Sequence, residues 1–287
     1  MGMETALHLA ALGHRVYGSV CTETEQMSLA AAARARNVTL EILRFDVTRE
    51  DQVRPAIDSM LAATGRVDAL VQFVGIGLRG FFEDLDISEI ERVFQVNLFG
   101  LMRVTQAVLP HMRKAMGGRI ILTSSVGGRM ASMGIGGYAS SKFAIEGWAE
   151  SLHQEMAPFN VRVSLLEPGL IHTPHFGIHR NVSRRAADPA SPYYTWFRRH
   201  ESLVDGLLAK SSFTTADVAA EVQRILDSRR PRLRYVVGTK AKWVLRLRRY
   251  IPGELFESLY WRATRRMVTR PGRTDPTGPH SMTEKML

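Results

Sequence analysis

The segment from Ile120 to Lys142 constrains this chain more than any other. Ile120-Ile121-Leu122 reads as a buried strand. Ser124-Ser125-Val126-Gly127-Gly128 follows, and Tyr138-Ala139-Ser140-Ser141-Lys142 opens a helix. Residues four apart on a helix share a face, so Tyr138 and Lys142 are neighbours one turn apart. A free phenol, with a pKa of about 10, is a poor acid–base group at neutral pH. A nearby ammonium stabilises the phenolate and lowers that value. A phenol tuned in this way can pass a proton to or from a substrate oxygen. Ser125 lies thirteen residues upstream of Tyr138, and its hydroxyl can hydrogen-bond the same oxygen.

This arrangement resembles the short-chain dehydrogenase/reductase family, whose motif is Tyr-x-x-x-Lys with a Ser about thirteen residues earlier. Tyr-x-x-x-Lys alone occurs by chance in many helices. The Ser spacing, Asn97 in Val96-Asn97-Leu98-Phe99-Gly100, and Glu167-Pro168-Gly169 after the next strand make the match specific, and all come in the family's order. The resemblance spans roughly residues 2–240, and residues 125–147 are similar to the 17β-hydroxysteroid dehydrogenase type 1 and retinol dehydrogenase-like branch. It implies an α/β fold: a Rossmann-like doubly wound parallel sheet, here with a C-terminal helical extension. It also implies an oxidoreductase that uses NAD(P) to interconvert an alcohol and a carbonyl. By the resemblance, Tyr138 is the acid/base, and Lys142 lowers its pKa and binds the nicotinamide ribose. Ser125 holds the substrate oxygen. Asn97 binds backbone and a relay water, or is simply a buried helical Asn. The implied cofactor contacts are Gly2, Asp46, Val47 and Gly75 on one side. On the other are Tyr138, Lys142, Pro168, Gly169, Ile171 and Thr173. A homodimer or homotetramer is the implied assembly.

At 287 residues, 45% hydrophobic and 23% charged, the chain suits one large α/β domain with a sizeable core. Cys21 is the only cysteine, so no intrachain disulfide can form and the fold needs no oxidising compartment. No apolar run approaches the roughly 20 residues that span a bilayer. The start, Met-Gly-Met-Glu-Thr-Ala, lacks a basic stretch followed by an apolar one, the mark of a secretory signal. A cytoplasmic location is expected. The net charge of +10 suits phosphate-bearing cofactors, anionic membranes or nucleic acid; a basic tail that aids solubility explains it equally well. Nucleic acid has only net charge behind it and is not an expected partner. No internal repeat or metal-ligand cluster is visible.

The chain departs from the family pattern at its start. Ala6, Leu7, Leu9, Ala10 and Leu12 have helical spacing, Gly13 ends the run, and His14 to Val20 reads as a strand. In a doubly wound fold, a first strand and a Gly-rich turn precede that helix. Both are apparently absent, and of Thr-Gly-x-x-x-Gly-x-Gly only Gly2 has a counterpart, as the last glycine. Losing a central strand leaves ladder groups unpaired on both neighbours, at a cost far above the roughly 5–15 kcal/mol of a domain's stability. The expectation is a start codon placed too late or a truncated gene segment; the alternative is a variant that has lost its dinucleotide site. Val20 and Cys21 stand where NAD-specific relatives carry an acid and NADP-preferring ones an Arg. The missing acid leans towards NADP, with NAD still open. Asp46 reads either as an adenine contact or as a helix cap. Gln72-Phe73-Val74-Gly75 replaces the family's Asn-Asn-Ala-Gly and keeps only Gly75.

Further helices are expected over 24–36, 50–64, 86–115, 138–157 and 214–226, and strands over 38–45, 68–74, 119–123, 161–166 and 234–238. Phe143, Ile145, Trp148 and Leu152 pack the fourth of these helices either on the sheet or on a partner subunit. His172 reads as a surface residue. Residues 174–212, with Tyr193, Tyr194, Trp196 and Phe197, read as a substrate lid suited to an apolar steroid, retinoid or lipid-like substrate, or as a loop packing its own rings. The domain so delimited is 1–239. Residues 240–269 read as two basic amphipathic helices that lie on an anionic membrane surface, cap the substrate pocket or contact another subunit. Residues 270–287 read as a disordered tail. The alternative reading of the whole is a non-catalytic relative, a binding or scaffold protein without cofactor.

Overall fold

The computed structural model describes residues 1–171 and 180–269. Six parallel-paired strands and ten α-helices alternate along them. Helix α1 (Gly2–Ala11) leads into β1 (Tyr17–Val20), α2 (Glu23–Ala35), β2 (Glu41–Arg44), α3 (Glu50–Thr64) and β3 (Ala69–Gln72). Then come α4 (Ile87–Phe94), α5 (Leu101–Lys114), β4 (Gly118–Thr123), α6 (Gly136–Met156) and β5 (Val161–Pro168). The chain continues through α7 (Tyr194–Ala209), α8 (Thr215–Asp227) and β6 (Arg234–Val237) to α9 (Thr239–Tyr250) and α10 (Gly253–Thr269). Local signals set many boundaries. Thr22 with Glu25 and Thr214 with Asp217 form capping boxes on α2 and α8, and Gly65 ends α3 in the left-handed region at φ 69°.

The strands form two sheets: β1 pairs with β2, and β3-β4-β5-β6 follow in that order, all parallel. Parallel sheets are covered on both faces, so their strands read as continuous apolar runs. Successive side chains of β4 divide between two cores. Ile120 and Leu122 point into the larger one with α3, α5 and α6. Ile121 points to the other face, with Leu166, Val218, Val222 and Ile225. Helix α1 lies against α8, where His8 Nε2 and Gln223 Oε1 are 2.8 Å apart. Between the sheets lies a cavity of about 2150 Å³, lined by β1 and β3 together. Each of these strands has a ladder on one side only.

The expected elements are present, with three differences. The strands read over 14–20, 38–45 and 68–74 shorten to four residues each. The single helix expected over 86–115 is interrupted: a π-helical turn, Gln95–Gly100, separates α4 from α5. The wider turn carries Asn97 inward and brings Gly100 so close to Val47 that a Cβ there would lie 2.6 Å from its Cγ2. Residues 180–212, expected as a lid or a loop, hold the helix α7. Its Phe197 is buried, and Phe81 meets Tyr193, Trp196 and Phe197 edge to face with centroids 5.6–6.0 Å apart. Both helices read in 240–269 are present as α9 and α10. The tail over 270–287 lies outside the described residues.

Candidate active site

Three elements bring the site together. Strand β4 ends at Thr123 and delivers Ser125 at the start of a short turn, where its Oγ accepts from Gly127 N at 3.0 Å. Helix α6 places Tyr138 in its first turn and Lys142 one turn on. The π-helical turn supplies Asn97. A Cβ on Gly127 would stand 3.4 Å from Ser125 Oγ and 3.6 Å from the Tyr138 ring, so serine and phenol flank one point. A Cβ on Gly75 would stand 3.3 Å from Asn97 Oδ1 and 3.4 Å from Lys142 Nζ. The loop after β3 thus approaches amide and ammonium closely, which only glycine permits without displacement.

Asn97 is fully buried and works as a clamp. Its Oδ1 accepts from Ile76 N at 2.7 Å; its Nδ2 donates to Ile76 O at 2.9 Å and to Ser141 Oγ at 3.1 Å. Ser141 Oγ in turn donates to Tyr138 O at 2.7 Å. The backbone bonding expected of Asn97 is therefore present, and it fixes the end of β3 to α6. Lys142 Nζ donates to Thr123 O at 2.9 Å and lies 5.7 Å from the Tyr138 ring centroid. Burial lowers the Lys142 pKa to about 8, against a raising influence from Glu146. Tyr138 keeps part of its surface accessible, yet enough protein surrounds it that burial pushes the phenol above its usual pKa. The Ser125 hydroxyl and the charge of Arg79 oppose that rise. Behind the site, Glu167 is wholly buried, 3.1 Å from Arg129 and 3.3 Å from Arg234; burial and Glu146 push its pKa up.

The remaining sequence-derived contacts divide. Gly2, Asp46, Val47 and Gly75 all line the large cavity. Asp46 Oδ1 accepts from Thr48 N and Oγ1, both at 2.8 Å, closing its own turn; the N-cap position of α3 is Arg49, whose side chain caps nothing. Pro168 ends β5, and Gly169 N donates to Val237 O at 3.0 Å. The Ile171 side chain is buried in the second core, which leaves its backbone for any contact outside. Thr173 and His172 lie outside the described residues. Gln72, in place of the family's Asn, turns into α5 and donates to Leu101 O and Thr105 Oγ1.

Sequence reasoning missed a buried ion-pair group beside the phenol. Arg79 Nε donates to Glu201 Oε1 at 2.8 Å, and Arg180 Nη1 to Glu201 Oε2 at 3.0 Å. His200, buried next to them, has its pKa lowered by burial. Arg79 offered one signal, as the lone charge in Val74-Gly75-Ile76-Gly77-Leu78-Arg79-Gly80. Its partner lies 122 residues further on, beyond the reach of any local spacing.

A parallel α/β fold carrying Ser125, Tyr138 and Lys142 in this geometry defines an alcohol–carbonyl oxidoreductase. The profile of the short chain dehydrogenase family matches residues 1–181, and the chain belongs to that family. It is 37% identical over 182 residues to the 3-ketodihydrosphingosine reductase of Bacteroides thetaiotaomicron, an alignment covering 63% of this chain and 64% of that protein. It is 31% identical over 277 residues to human retinol dehydrogenase 8, covering 94% of this chain and 87% of the relative. Among solved structures, a short-chain dehydrogenase from Streptomyces avermitilis superposes with a TM-score of 0.76 at 30% identity, covering 92% and 93% of the two chains.

The family uses NAD(P), and this chain's residues fit a dinucleotide at both ends of the cavity. At one end Lys142 Nζ spends one donor on Thr123 O, and Gly75 leaves its approach open to a ribose diol. At the other, the first turn of α1 has no side-chain cap, and Thr5 Oγ1 is buried without a partner among the described residues. Uncapped amides at a helix N-terminus suit a diphosphate.

Proposed function

We propose that the chain interconverts an alcohol and a carbonyl on an apolar substrate, with Tyr138 as acid/base and NADP as the preferred cofactor. The observation that carries this reading is the grouping of Ser125 and Tyr138 around Gly127, with Lys142 Nζ 5.7 Å from the Tyr138 ring and against Gly75. A bound nicotinamide would exchange the hydride with the substrate carbon. In the reducing direction Tyr138 donates its proton to the carbonyl oxygen, and in oxidation it accepts the alcohol proton. Ser125 hydrogen-bonds that oxygen and holds it against the phenol. Lys142 binds the ribose and, as an ammonium, favours the phenolate. Asn97 keeps Ile76 and α6 in register, so that Gly75 stays against Lys142.

The cofactor leaning has support at the end of β1. Glu25, beside that position, is engaged: its Oε2 accepts from Cys21 N at 2.8 Å and Thr22 N at 3.1 Å. That carboxylate is therefore not free to hold a 2′-hydroxyl. The substrate class has support in a second pocket, of about 380 Å³, where Phe81, Phe82, Tyr193, Trp196 and Trp261 form apolar walls. Phe99 and Phe143, 42% and 41% exposed, are available to a second copy in a homodimer or homotetramer.

Tyr138→Phe removes the transferable proton and keeps the ring. Its kcat/KM for apolar ketones should fall by about 10²–10⁴, with an unchanged circular dichroism spectrum. Near-normal turnover would refute the proton assignment. Gln72, bonded to Leu101 O and Thr105 Oγ1 where the family carries an Asn, favours a second reading, a non-catalytic relative without cofactor. Fluorescence titration with NADPH and NADH separates the two, because the relic binds neither.

A further inference from the structure

The C-terminal hairpin carries much of the molecule's charge and leaves much of its apolar surface uncovered. Helix α9 buries no residue at all. Trp243, Leu247 and Tyr250, 64%, 54% and 76% exposed, recur at i, i+4 and i+7 and so line one face. Lys242, Arg246 and Arg249 flank it along one side of the wheel. Arg246 folds to 5.4 Å from the Trp243 ring centroid, which joins a cation to the aromatic edge of the stripe. Residues 239–269 hold eight Lys and Arg against two Glu, a net +6 of the chain's +10.

The hairpin is anchored elsewhere, so this stripe is spare. Phe256 of α10 is buried, stacks on Tyr260 and lies beneath Arg248 of α9. Tyr260 Oη donates to Ser132 Oγ at 3.1 Å, in the loop that leads into α6. Trp261 forms part of the aromatic pocket. On α10, Leu255 and Leu259 remain 53% and 48% exposed.

We propose that α9 and the outer face of α10 dock on an anionic lipid bilayer, with Trp243, Leu247 and Tyr250 inserted at the headgroup boundary and the flanking cations against lipid phosphates and carboxylates. Three observations select this occupant. The apolar stripe is narrow, three side chains on one helix face. The surrounding charge is nearly all positive, so a second copy would bring like charges together and only an anionic surface complements it. Tryptophan and tyrosine, apolar with one polar atom, suit the boundary between acyl chain and water. Among the described residues no helix is long and apolar enough to cross a membrane, so the helices lie in the surface plane. Docking there sets the aromatic pocket next to lipid; that consequence, an apolar substrate taken from the bilayer, rests on the reading of the pocket proposed above, while the docking itself does not.

The test is co-sedimentation of the full chain with phosphatidylcholine vesicles, with and without phosphatidylserine, in the absence of substrate and cofactor. Binding should require phosphatidylserine and weaken as salt rises. It should drop about tenfold or more in a Trp243→Ser, Leu247→Ser, Tyr250→Ser variant, and equally in Lys242→Glu, Arg246→Glu, Arg249→Glu. Both variants should fold and keep turnover of a soluble ketone, since α9 buries nothing. Absent binding, binding indifferent to phosphatidylserine, or retention by both variants overturns the proposal. So does self-association in the ultracentrifuge that the serine variant abolishes, which would assign the face to a second copy. An inactive chain that still binds vesicles would overturn only the substrate reading.

Discussion

A lysine enclosed beside a phenol gives up part of its basicity, and the consequence reaches stability as well as chemistry. Lys142 falls from 10.5 to about 8 on folding. Between those values the unfolded chain binds more protons at this site than the folded one. Stability therefore rises with pH through that window, by at most about 1.4 kcal/mol per pH unit, and the burial cost is fully present below pH 8. Urea unfolding on either side of that pH should show the rise, and Lys142→Met should flatten it; an equal slope in both proteins would contradict the assignment. Arg79 acts on the other member of the pair. Its positive charge lowers the Tyr138 pKa, so Arg79→Met should move the Tyr138 limb of the pH–rate profile to higher pH, and Arg79→Lys should restore it. A purely structural Arg79 would change activity at every pH without moving the limb. Ser125, Tyr138 and Lys142 were legible in the sequence because spacing along one loop and one helix fixes their relation. Arg79 was not: its place is fixed by Glu201, from a distant helix.

At the scale of elements, period and punctuation recovered most helices and strands; Thr214, for example, stands where α8 begins and caps it. The turn at Asn97 escaped. A π-helical turn inserts one residue without breaking the apolar pattern on either side, and Leu98 and Leu101 remain core-facing across it. The close packing of α6 on the loop after β4 was equally silent in sequence. It depends on Gly128, where a Cβ would stand 2.6 Å from Ser124 Oγ and 2.9 Å from the Lys142 carbonyl oxygen. Backbone does not yield as a flexible side chain does, so Gly128→Ala must push α6 away from β4. The expected cost is about 1–3 kcal/mol in urea unfolding, with a larger proportional loss of turnover than of stability, because Ser125 and Tyr138 sit on the two parts forced to separate. An unchanged kcat in a destabilised variant would show that the two are positioned independently.

For the whole molecule the decisive feature is the cavity between the sheets. The four-stranded sheet has helices on both faces and the larger core beneath it. The pair β1–β2 has four-residue strands and a small cluster built on Leu7, Leu29 and Ala33. A two-stranded sheet of this length is marginal by itself, and the unladdered side of β1 opens on the cavity. Local opening should therefore cost far less in β1–β2 than in β4–β5. Amide hydrogen exchange should show it directly: Gly18–Val20 and Ile42–Arg44 exchange early, Ile120–Leu122 and Val163–Leu166 last. A dinucleotide spanning the cavity would touch both sides, Gly2 and Asp46 on one and Gly75 with Lys142 on the other. Binding only to the closed arrangement, it would add about 2.7 kcal/mol at a hundred times its Kd, and that gain would fall on the weaker side. NADPH should slow exchange in β1 and β2 and leave β4 and β5 nearly unchanged. Slowing confined to α6 would mean that the nicotinamide end binds alone and that the first sheet takes no part in holding the cofactor.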